Sequence, residues 1–387
     1  MPEAPIIYFD HAAATPLDPV VLRAMVPYLT DSFYNPSSPY APAVEVRQQL
    51  ESARHRLAVC IGAQRDDIIF TAGATESIAL ALTAATDGHV VTTAIEHPAV
   101  LENARRYDVS IVSPNKKGRI DPASIKAAIT PKTQVVSVGL ANSELGTIQP
   151  LKDIAAIVSL ERTRRQDEGD TRPIWLHSDA SQGAGLYDIN LSRLGVDLLT
   201  LNAAKLYGPK QVGLLWRRPG IKLVPLFGGG GQEMGLRSGT ESVAGAVGFA
   251  VALERAEKKR KSEFRRLTEL RDDLQKKLQD SLEDMVVSGD QKHRLPGHLH
   301  LAFAGVDAER LVFMLEARGV LVATGSACAA NKGTRSHVLV AIGMDEKLAD
   351  GSLRITLGRG STEQDIQLAS AAIIESVKSE ISRMESR

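Results

Sequence analysis

Two residues of opposite charge follow neighbouring strand candidates in the middle of the chain. Asp179 ends the apolar run 174–179, and Lys205 follows the apolar run 197–201 on a loop that a Gly-Pro turn closes. An acid and a lysine at successive strand ends suit pyridoxal phosphate, because the lysine can form a Schiff base and the acid can pair with the pyridinium nitrogen. Either residue alone is more commonly a solvated lysine or an ordinary strand-end aspartate, so the interpretation depends on the rest of the chain.

Length and composition limit the classes of protein that come into question. The 387 residues, 43% apolar and 24% charged, are typical of a globular protein with two domains. Because 46 basic residues balance 46 acidic ones, we expect no direct binding of nucleic acid. No signal-peptide pattern begins the chain, and no apolar run reaches the roughly 18 residues of a membrane span. Two distant cysteines exclude a disulfide framework or a cysteine zinc site, so we expect no metal and a cytoplasmic location.

The order of helix and strand patterns predicts the fold class. From about residue 45 to 250 the two patterns alternate, which predicts an α/β domain with a mostly parallel sheet covered on both faces. A long charged helix is predicted over 254–285, and shorter segments after it indicate a smaller α+β domain. We place the large domain at 15–255 and form the small domain from 1–14 with 256–387. The predicted strands are 68–70, 90–94, 109–112, 135–140, 174–179, 198–201, 212–216, 298–303, 320–323 and 353–357, and the other main helices are 43–61, 307–317 and 363–383.

One junction between a strand and a helix has the composition of an anion site. The strand candidate 68–70 leads through Gly73, Ala74 and Thr75 into an apolar helix. Free backbone N–H groups and the helix dipole favour a phosphate there, although a plain helix cap has the same composition. The four glycines 228–231 lack the Gly-Lys-Ser/Thr of a P-loop, and no GxGxxG follows the first strand, which argues against dinucleotide binding.

A set of short motifs, each weak alone, makes the chain resemble the cysteine desulfurases, pyridoxal-phosphate enzymes of the class V aminotransferase group. The motifs span residues 8 to 359. The resemblance implies a fold-type I architecture with a seven-stranded sheet, and conversion of L-cysteine to L-alanine with transfer of sulfur. The motifs are Tyr8-Phe-Asp-His, Asn35-Pro-Ser-Ser, Thr71-Ala-Gly-Ala-Thr-Glu-Ser, Ile95-Glu-His, Asn142-Ser-Glu-Leu, Ser178-Asp-Ala-Ser-Gln, Lys205-Leu-Tyr-Gly-Pro-Lys, Arg237-Ser-Gly-Thr, Gly325-Ser-Ala-Cys and Leu353-Arg-Ile-Thr.

The resemblance implies roles for the residues that act in the reaction. Lys205 holds the cofactor as a Schiff base and then acts as base on the substrate Cα proton. Cys328 takes the sulfur as a persulfide, and His97 stacks on the cofactor ring and helps to move protons. Asp179 keeps the pyridine nitrogen protonated, and Gln182 bonds the phenolic oxygen of the cofactor.

Further residues are implied to bind cofactor and substrate. Arg354 clamps the substrate carboxylate in a bidentate pair, with Asn142 beside the substrate. Thr240 reaches the phosphate of the partner subunit, which requires a homodimer. The remaining cofactor contacts implied by the resemblance are Ala74, Thr75, Ser143 and Asn202.

The two cysteines of the chain are predicted to differ in reactivity. Cys328 lies in a small, polar stretch, where Lys332 and Arg335 favour the thiolate. Cys60, at the apolar end of a helix, is interpreted as buried and inert. The length of the segment 329–335 resembles the branch of the family with a long cysteine loop.

Three positions implied to lie near the cofactor depart from the family pattern. Ala204 stands where the family usually has His, Asn202 where it has Ser, and Ser143 where it has Asn. One neutral hydrogen bond contributes roughly 0.5–1.5 kcal/mol, so we expect weaker retention of the cofactor rather than loss of activity.

Two other interpretations and several partners stay open. The chain could be another class V lyase acting on selenocysteine or cysteine sulfinate, against which Cys328 argues. It could also be a non-catalytic scaffold relative, which Ala204 and Ser143 motivate and the intact Lys205 opposes. The expected partners are L-cysteine and a sulfur acceptor, namely an iron–sulfur scaffold or a tRNA or DNA sulfur-modification protein, and the sequence does not decide among the acceptors.

Overall fold

A seven-stranded sheet forms the centre of the computed structural model, which describes residues 6–86, 88–325 and 335–385. Its strands follow the order β2-β8-β7-β6-β5-β3-β4. All neighbours are parallel except β8, which is antiparallel to both β2 and β7. The predicted mostly parallel seven-stranded sheet is thereby confirmed. The strands of the chain are β1 Ile7–Tyr8, β2 Ile68–Thr71, β3 His89–Thr93, β4 Asp108–Val112, β5 Thr133–Ser137, β6 Trp175–Asp179, β7 Leu198–Asn202, β8 Gly213–Arg217, β9 Val286–Ser288, β10 His298–Ala302, β11 Val320–Leu321 and β12 Ser352–Thr356.

Helices cover the sheet, and several begin at signals that are visible in the sequence. Asp18 and Asp121 each accept a hydrogen bond from a backbone N–H two residues on, and proline occupies the next position. The helices are α1 Pro19–Met25, α2 Ala41–Ile61, α3 Ala74–Leu82, α4 Pro98–Ala104, α5 Pro122–Ala128, α6 Leu151–Asp167, α7 Leu191–Leu194, α8 Val243–Gln279, α9 Ala308–Glu316, α10 His337–Ala341, α11 Glu346–Asp350 and α12 Glu363–Glu385.

The long helix α8 differs from its predicted bounds of 254–285. It begins at Val243. The first third of the helix is buried and apolar, whereas the charged pattern that predicted a helix starts only near Glu254, so the predicted start was too late. It ends at Gln279, and the following residues lead into β9, which the sequence did not predict. The first third of the helix therefore lacks the polar face by which a surface helix is recognised in a sequence.

A second hydrophobic core lies beside the sheet. The leucine stripe of α8, from Leu267 to Leu278, packs with Leu299 of β10, Ile355 of β12 and Ile373 of α12. Here β9, β10 and β12 form an antiparallel sheet, and β1 pairs with β11. The first strand of the chain and its last third thus share one core, while the boundary at residue 255 stays a prediction.

Candidate active site

The carboxyl ends of β6 and β7 meet at one cavity of about 330 Å³. Asp179 is the last residue of β6 and Asn202 the last of β7, and Lys205 follows in a single 3-10 turn. Parallel neighbours end on the same side of a sheet, where ligands of such folds usually bind. The cavity brings together ten of the predicted site residues, Ala74, Thr75, His97, Asn142, Ser143, Asp179, Gln182, Asn202, Lys205 and Arg354.

Lys205 is held by the N-terminal segment of the chain. Its Nζ donates to the carbonyl oxygens of Ala12 at 2.8 Å and Ala13 at 2.6 Å. Gln182 Nε2 donates to the same Ala12 oxygen at 3.1 Å. The ammonium group is therefore oriented by backbone dipoles at the wall of the cavity, a placement that no local sequence pattern predicts.

His97 is the N-cap of α4, directly before Pro98. Its Nδ1 accepts a hydrogen bond from the Ala99 N–H at 3.1 Å, which fixes the ring and defines the protonated nitrogen as Nε2. Burial lowers the pKa of His97, with Asp179 opposing and Lys205 assisting that shift. The imidazole is therefore neutral at pH 7 and can both accept and donate a proton.

A glycine turn opens the wall between β2 and α3. Gly73 has φ of 132°, a conformation that favours glycine, and α3 begins at Ala74 without a side-chain cap. A Cβ at Gly213 on the adjacent β8 would lie 2.7 Å from the Gly73 backbone, so this strand must also carry glycine here. The N–H groups of the first helical turn are thus left for a ligand, and the donor set fits a phosphate.

Arg354 enters the cavity from β12. Its Nη2 donates to Asp10 Oδ1 at 2.7 Å, and the side chain is 3% exposed. Burial beside Arg354 lowers the pKa of His300, its partner on β10, to about 3, so that this ring carries no charge. Arg354 is consequently a shielded cation with one acidic partner and is suited to bind a carboxylate.

Asn142 is committed largely to the protein. Its Oδ1 accepts from the N–H groups of Glu144 and Leu145, and its Nδ2 donates to the Ile95 carbonyl. It shapes the turn that carries Ser143. At the other end of the cavity, Asn202 Oδ1 accepts a hydrogen bond from the Ala204 N–H at 3.1 Å. The amide oxygen is thus used within the protein, and the amide nitrogen is the donor for a ligand.

Two buried carboxyl groups at the site were missed from the sequence. Burial raises the pKa of Glu96 to about 7, while hydrogen bonds from Thr93 and the Gly139 N–H oppose the shift. Burial also raises the pKa of Glu144, which accepts from Ser336 Oγ at 2.5 Å. The sequence signal for Glu96 is only its place in the Ile95-Glu-His motif, since no local pattern shows that an acid is buried.

Of the predicted site residues that the structure describes, Thr240 does not line the cavity. Thr240 is exposed on the segment between β8 and α8. Cys328 and Lys332 lie outside the described residues. The nearest described neighbour on the C-terminal side, Arg335, forms ion pairs with Asp350 at 2.7 Å and Glu346 at 2.8 Å, so its charge is already compensated by acids of α11.

Within residues 6–86, 88–325 and 335–385, no three His, Cys, Asp or Glu side chains converge as a metal ion would require. Among the helices of that part of the chain, none has the length and apolar character needed to cross a membrane.

Comparison with known proteins identifies the family. Residues 7–368 match the family Aminotransferase class-V. The chain is 40% identical to cysteine desulfurase IscS of Dictyoglomus turgidum, over 93% of this chain and 91% of that protein. It is 37% identical to a human cysteine desulfurase, over 96% of this chain and 82% of the human one.

Solved structures agree with these relatives. A NifS-like protein superposes with a TM-score of 0.88 at 32% identity, covering 96% of this chain and 99% of that one. SspA in complex with cysteine gives a TM-score of 0.76 at 32% identity, over 91% and 98% of the two chains. The chain therefore belongs to the class V aminotransferase family, whose cysteine desulfurases depend on pyridoxal phosphate. Within that family it is a cysteine desulfurase, so the predicted family, fold and type of reaction are confirmed.

Proposed function

We propose that this chain binds pyridoxal phosphate through Lys205 and transfers sulfur from L-cysteine to Cys328. The observation that carries the proposal is the position of Lys205 and Asp179 at adjacent strand ends, in one cavity with the open turn at Gly73 and with Arg354. When bound, the cofactor supplies an aldehyde for the substrate amine and a ring that accepts electrons. Asp179 pairs with the ring nitrogen, and the N–H groups of Ala74 and Thr75 hold the phosphate.

The residues of the chain orient the substrate and move its protons. Arg354 binds the substrate carboxylate, which places Cα on the side of Lys205. Lys205 Nζ takes the Cα proton, and His97 exchanges protons as a neutral imidazole. Gln182 bonds the phenolic oxygen, while Ser143 and Asn202 complete the cofactor contacts and Asn142 shapes the wall beside the substrate.

Cys328 acts as the nucleophile. Its thiolate attacks the substrate sulfur, so that an S–S bond forms, the C–S bond breaks, and the electron pair of that bond stays with the carbon that becomes the alanine methyl group. The balance is L-cysteine plus the Cys328 thiol giving L-alanine plus the Cys328 persulfide, with no external oxidant.

The proposal includes a homodimer and an acceptor. Thr240, exposed in its own protomer, contacts the cofactor phosphate of the partner subunit. The persulfide passes to an acceptor protein in the cytoplasm, an iron–sulfur scaffold or a tRNA or DNA sulfur-modification protein.

The decisive experiment measures alanine and persulfide from one preparation. The purified protein with bound pyridoxal phosphate receives L-cysteine, and alanine is quantified while persulfide is located by mass spectrometry. We expect alanine formation and one added sulfur on Cys328, both abolished in Cys328→Ala and retained in the control Cys60→Ala. Full activity of Cys328→Ala on cysteine contradicts the persulfide step. Faster turnover of selenocysteine or cysteine sulfinate than of cysteine would instead favour another lyase, and absence of a bound-cofactor band would favour a scaffold.

A further inference from the structure

Residues 228–242, here called the Thr240 loop, form the last part of the connection between β8 and α8. The loop contains glycines with left-handed φ at Gly231, Gly235 and Gly239. Such a segment has a large conformational entropy to lose, so side-chain contacts must hold it in one place. Two ion pairs do so.

The first ion pair fixes the start of the loop to β2. Arg54 donates to both carboxylate oxygens of Glu233, at 2.6 and 2.7 Å, and the Phe70 N–H donates to Glu233 at 2.8 Å. Both charged side chains are buried, at 7% and 3% exposure. Glu233 and Met234 adopt left-handed φ of 49° and 59°, and the buried ion pair holds the backbone in this strained conformation.

The second ion pair joins the loop to the phosphate-binding turn. Glu76 lies in the first turn of α3, directly after Thr75. One of its oxygens accepts from the Ala72 N–H at 2.7 Å, and the other accepts from Arg237 Nε at 3.0 Å. The side chains of Glu76 and Arg237 are 12% and 27% exposed, so solvent screens the pair only in part.

We infer that Arg237, held by Glu76, is a positioning residue that acts in the partner subunit's site. Thr240 follows Arg237 by three residues, so the ion pair fixes the backbone close to Thr240. The pair places Thr240 at the cofactor phosphate of the partner subunit. Retention of cofactor in one protomer then depends on an ion pair in the other. The inference rests on the proposed homodimer and on the proposed role of Thr240.

The test uses mixed dimers in which one protomer carries Lys205→Ala. The visible band of covalently bound pyridoxal phosphate then reports only the protomer that retains Lys205. Arg237→Gln is placed either in the Lys205→Ala protomer or in the loaded protomer. The rate at which the band disappears is measured after transfer to an excess of inorganic phosphate, which competes for the phosphate-binding turn.

We expect the band to disappear about five-fold faster when Arg237→Gln lies in the Lys205→Ala protomer, and at the unchanged rate when it lies in the loaded protomer. Arg237→Lys, which keeps the charge, should restore part of the retention. An effect confined to the loaded protomer, or no effect in either arrangement, overturns the inference. The mass of the dimer and its melting temperature without cofactor show whether the variants fold and assemble.

Two controls separate this inference from the proposed function. Thr240→Ala in the Lys205→Ala protomer must also accelerate cofactor loss. If it does not, the part of the proposed function in which Thr240 contacts the cofactor phosphate of the partner subunit is wrong. If Thr240→Ala acts across the dimer and Arg237→Gln does not, only the positioning role is wrong. Arg172→Gln, which removes a surface ion pair to Asp170, should leave the rate unchanged.

Discussion

Arg354 Nη2 donates a hydrogen bond to Asp10 Oδ1 at 2.7 Å, between residues 344 positions apart in the chain. Asp10 follows β1 and pairs with Thr356 in an isolated bridge, so the backbone that carries it is fixed to β12. The acid orients the guanidinium and shares its charge before substrate arrives. The proposed recognition of the substrate carboxylate by Arg354 thus depends on both ends of the sequence.

Replacement of Asp10 by Asn should loosen Arg354. The amide can still accept a hydrogen bond but loses the ionic attraction, so we expect KM for cysteine to rise about five-fold, equivalent to about 1 kcal/mol, with kcat within about two-fold. Steady-state alanine formation measures both constants. Asp18→Asn, which removes an acid that pairs with Arg359 away from this cavity, serves as control. An unchanged KM in Asp10→Asn would show that Arg354 needs no orienting partner.

The buried carboxyl of Glu96 should make stability depend on pH. Because its pKa is about 7 in the folded protein and near its ordinary value when unfolded, the folded state holds more protons between about pH 4.5 and 7. The stability it contributes is present below about pH 4.5 and is lost as the pH rises to about 7. Glu96→Gln keeps an acceptor for Gly139 and never ionises.

We therefore expect Glu96→Gln to exceed the natural protein in free energy of unfolding by about 1 kcal/mol at pH 5 and by about 3 kcal/mol at pH 8. Urea unfolding at several pH values between 5 and 8 measures the difference. Thr93→Val removes a hydrogen bond that holds the pKa of this carboxyl down, so the pH dependence should persist and extend to higher pH. A difference that does not vary with pH would refute the burial argument.

Ala204 is predicted to weaken retention of the cofactor. The family usually places a histidine at this position, before Lys205, and Ala204→His should restore a donor to the phosphate. We expect the bound-cofactor band to disappear about five-fold more slowly on competition with inorganic phosphate, since a hydrogen bond to a charged acceptor is worth more than a neutral one.

A larger residue without a donor controls for crowding. Ala204→Leu adds bulk at the same position but no hydrogen-bond donor, so it should not slow the loss of the cofactor. If Ala204→His releases cofactor as fast as the natural protein, the departure from the family pattern has no effect on retention.

The two cysteines should differ sharply in reactivity. Burial raises the pKa of the Cys60 thiol to about 12, and Glu254 and Glu257 add to the shift. The thiolate is the reactive form, so at pH 8 iodoacetamide should modify Cys328 and leave Cys60 unmodified. Peptide mass spectrometry after a short exposure quantifies both sites. Equal labelling would contradict the assignment of Cys60 as inert, and Cys328→Ala should show no modification.

The sequence by itself determined the family, the alternation of strands and helices in the large sheet and most of the residues that line the cavity. Asp179, Asn202 and Lys205 follow strand candidates, and parallel strands end on one side of their sheet, so their proximity follows from local patterns. The turn at Gly73 and the role of glycine there are likewise local. These features depend on residues close in the chain.

Tertiary structure alone decided the contacts between distant residues. The carbonyl oxygens of Ala12 and Ala13 that hold Lys205, and the Asp10 partner of Arg354, come from a segment whose position depends on the pairing of β1 with β11. Burial of Glu96 and the bridge from Glu76 to Arg237 likewise arise from packing. The periodicity of a sequence shows which face of a helix or strand is apolar, but not which other element packs against that face. Desolvation and ion pairing depend on that packing, so the sequence could not predict them.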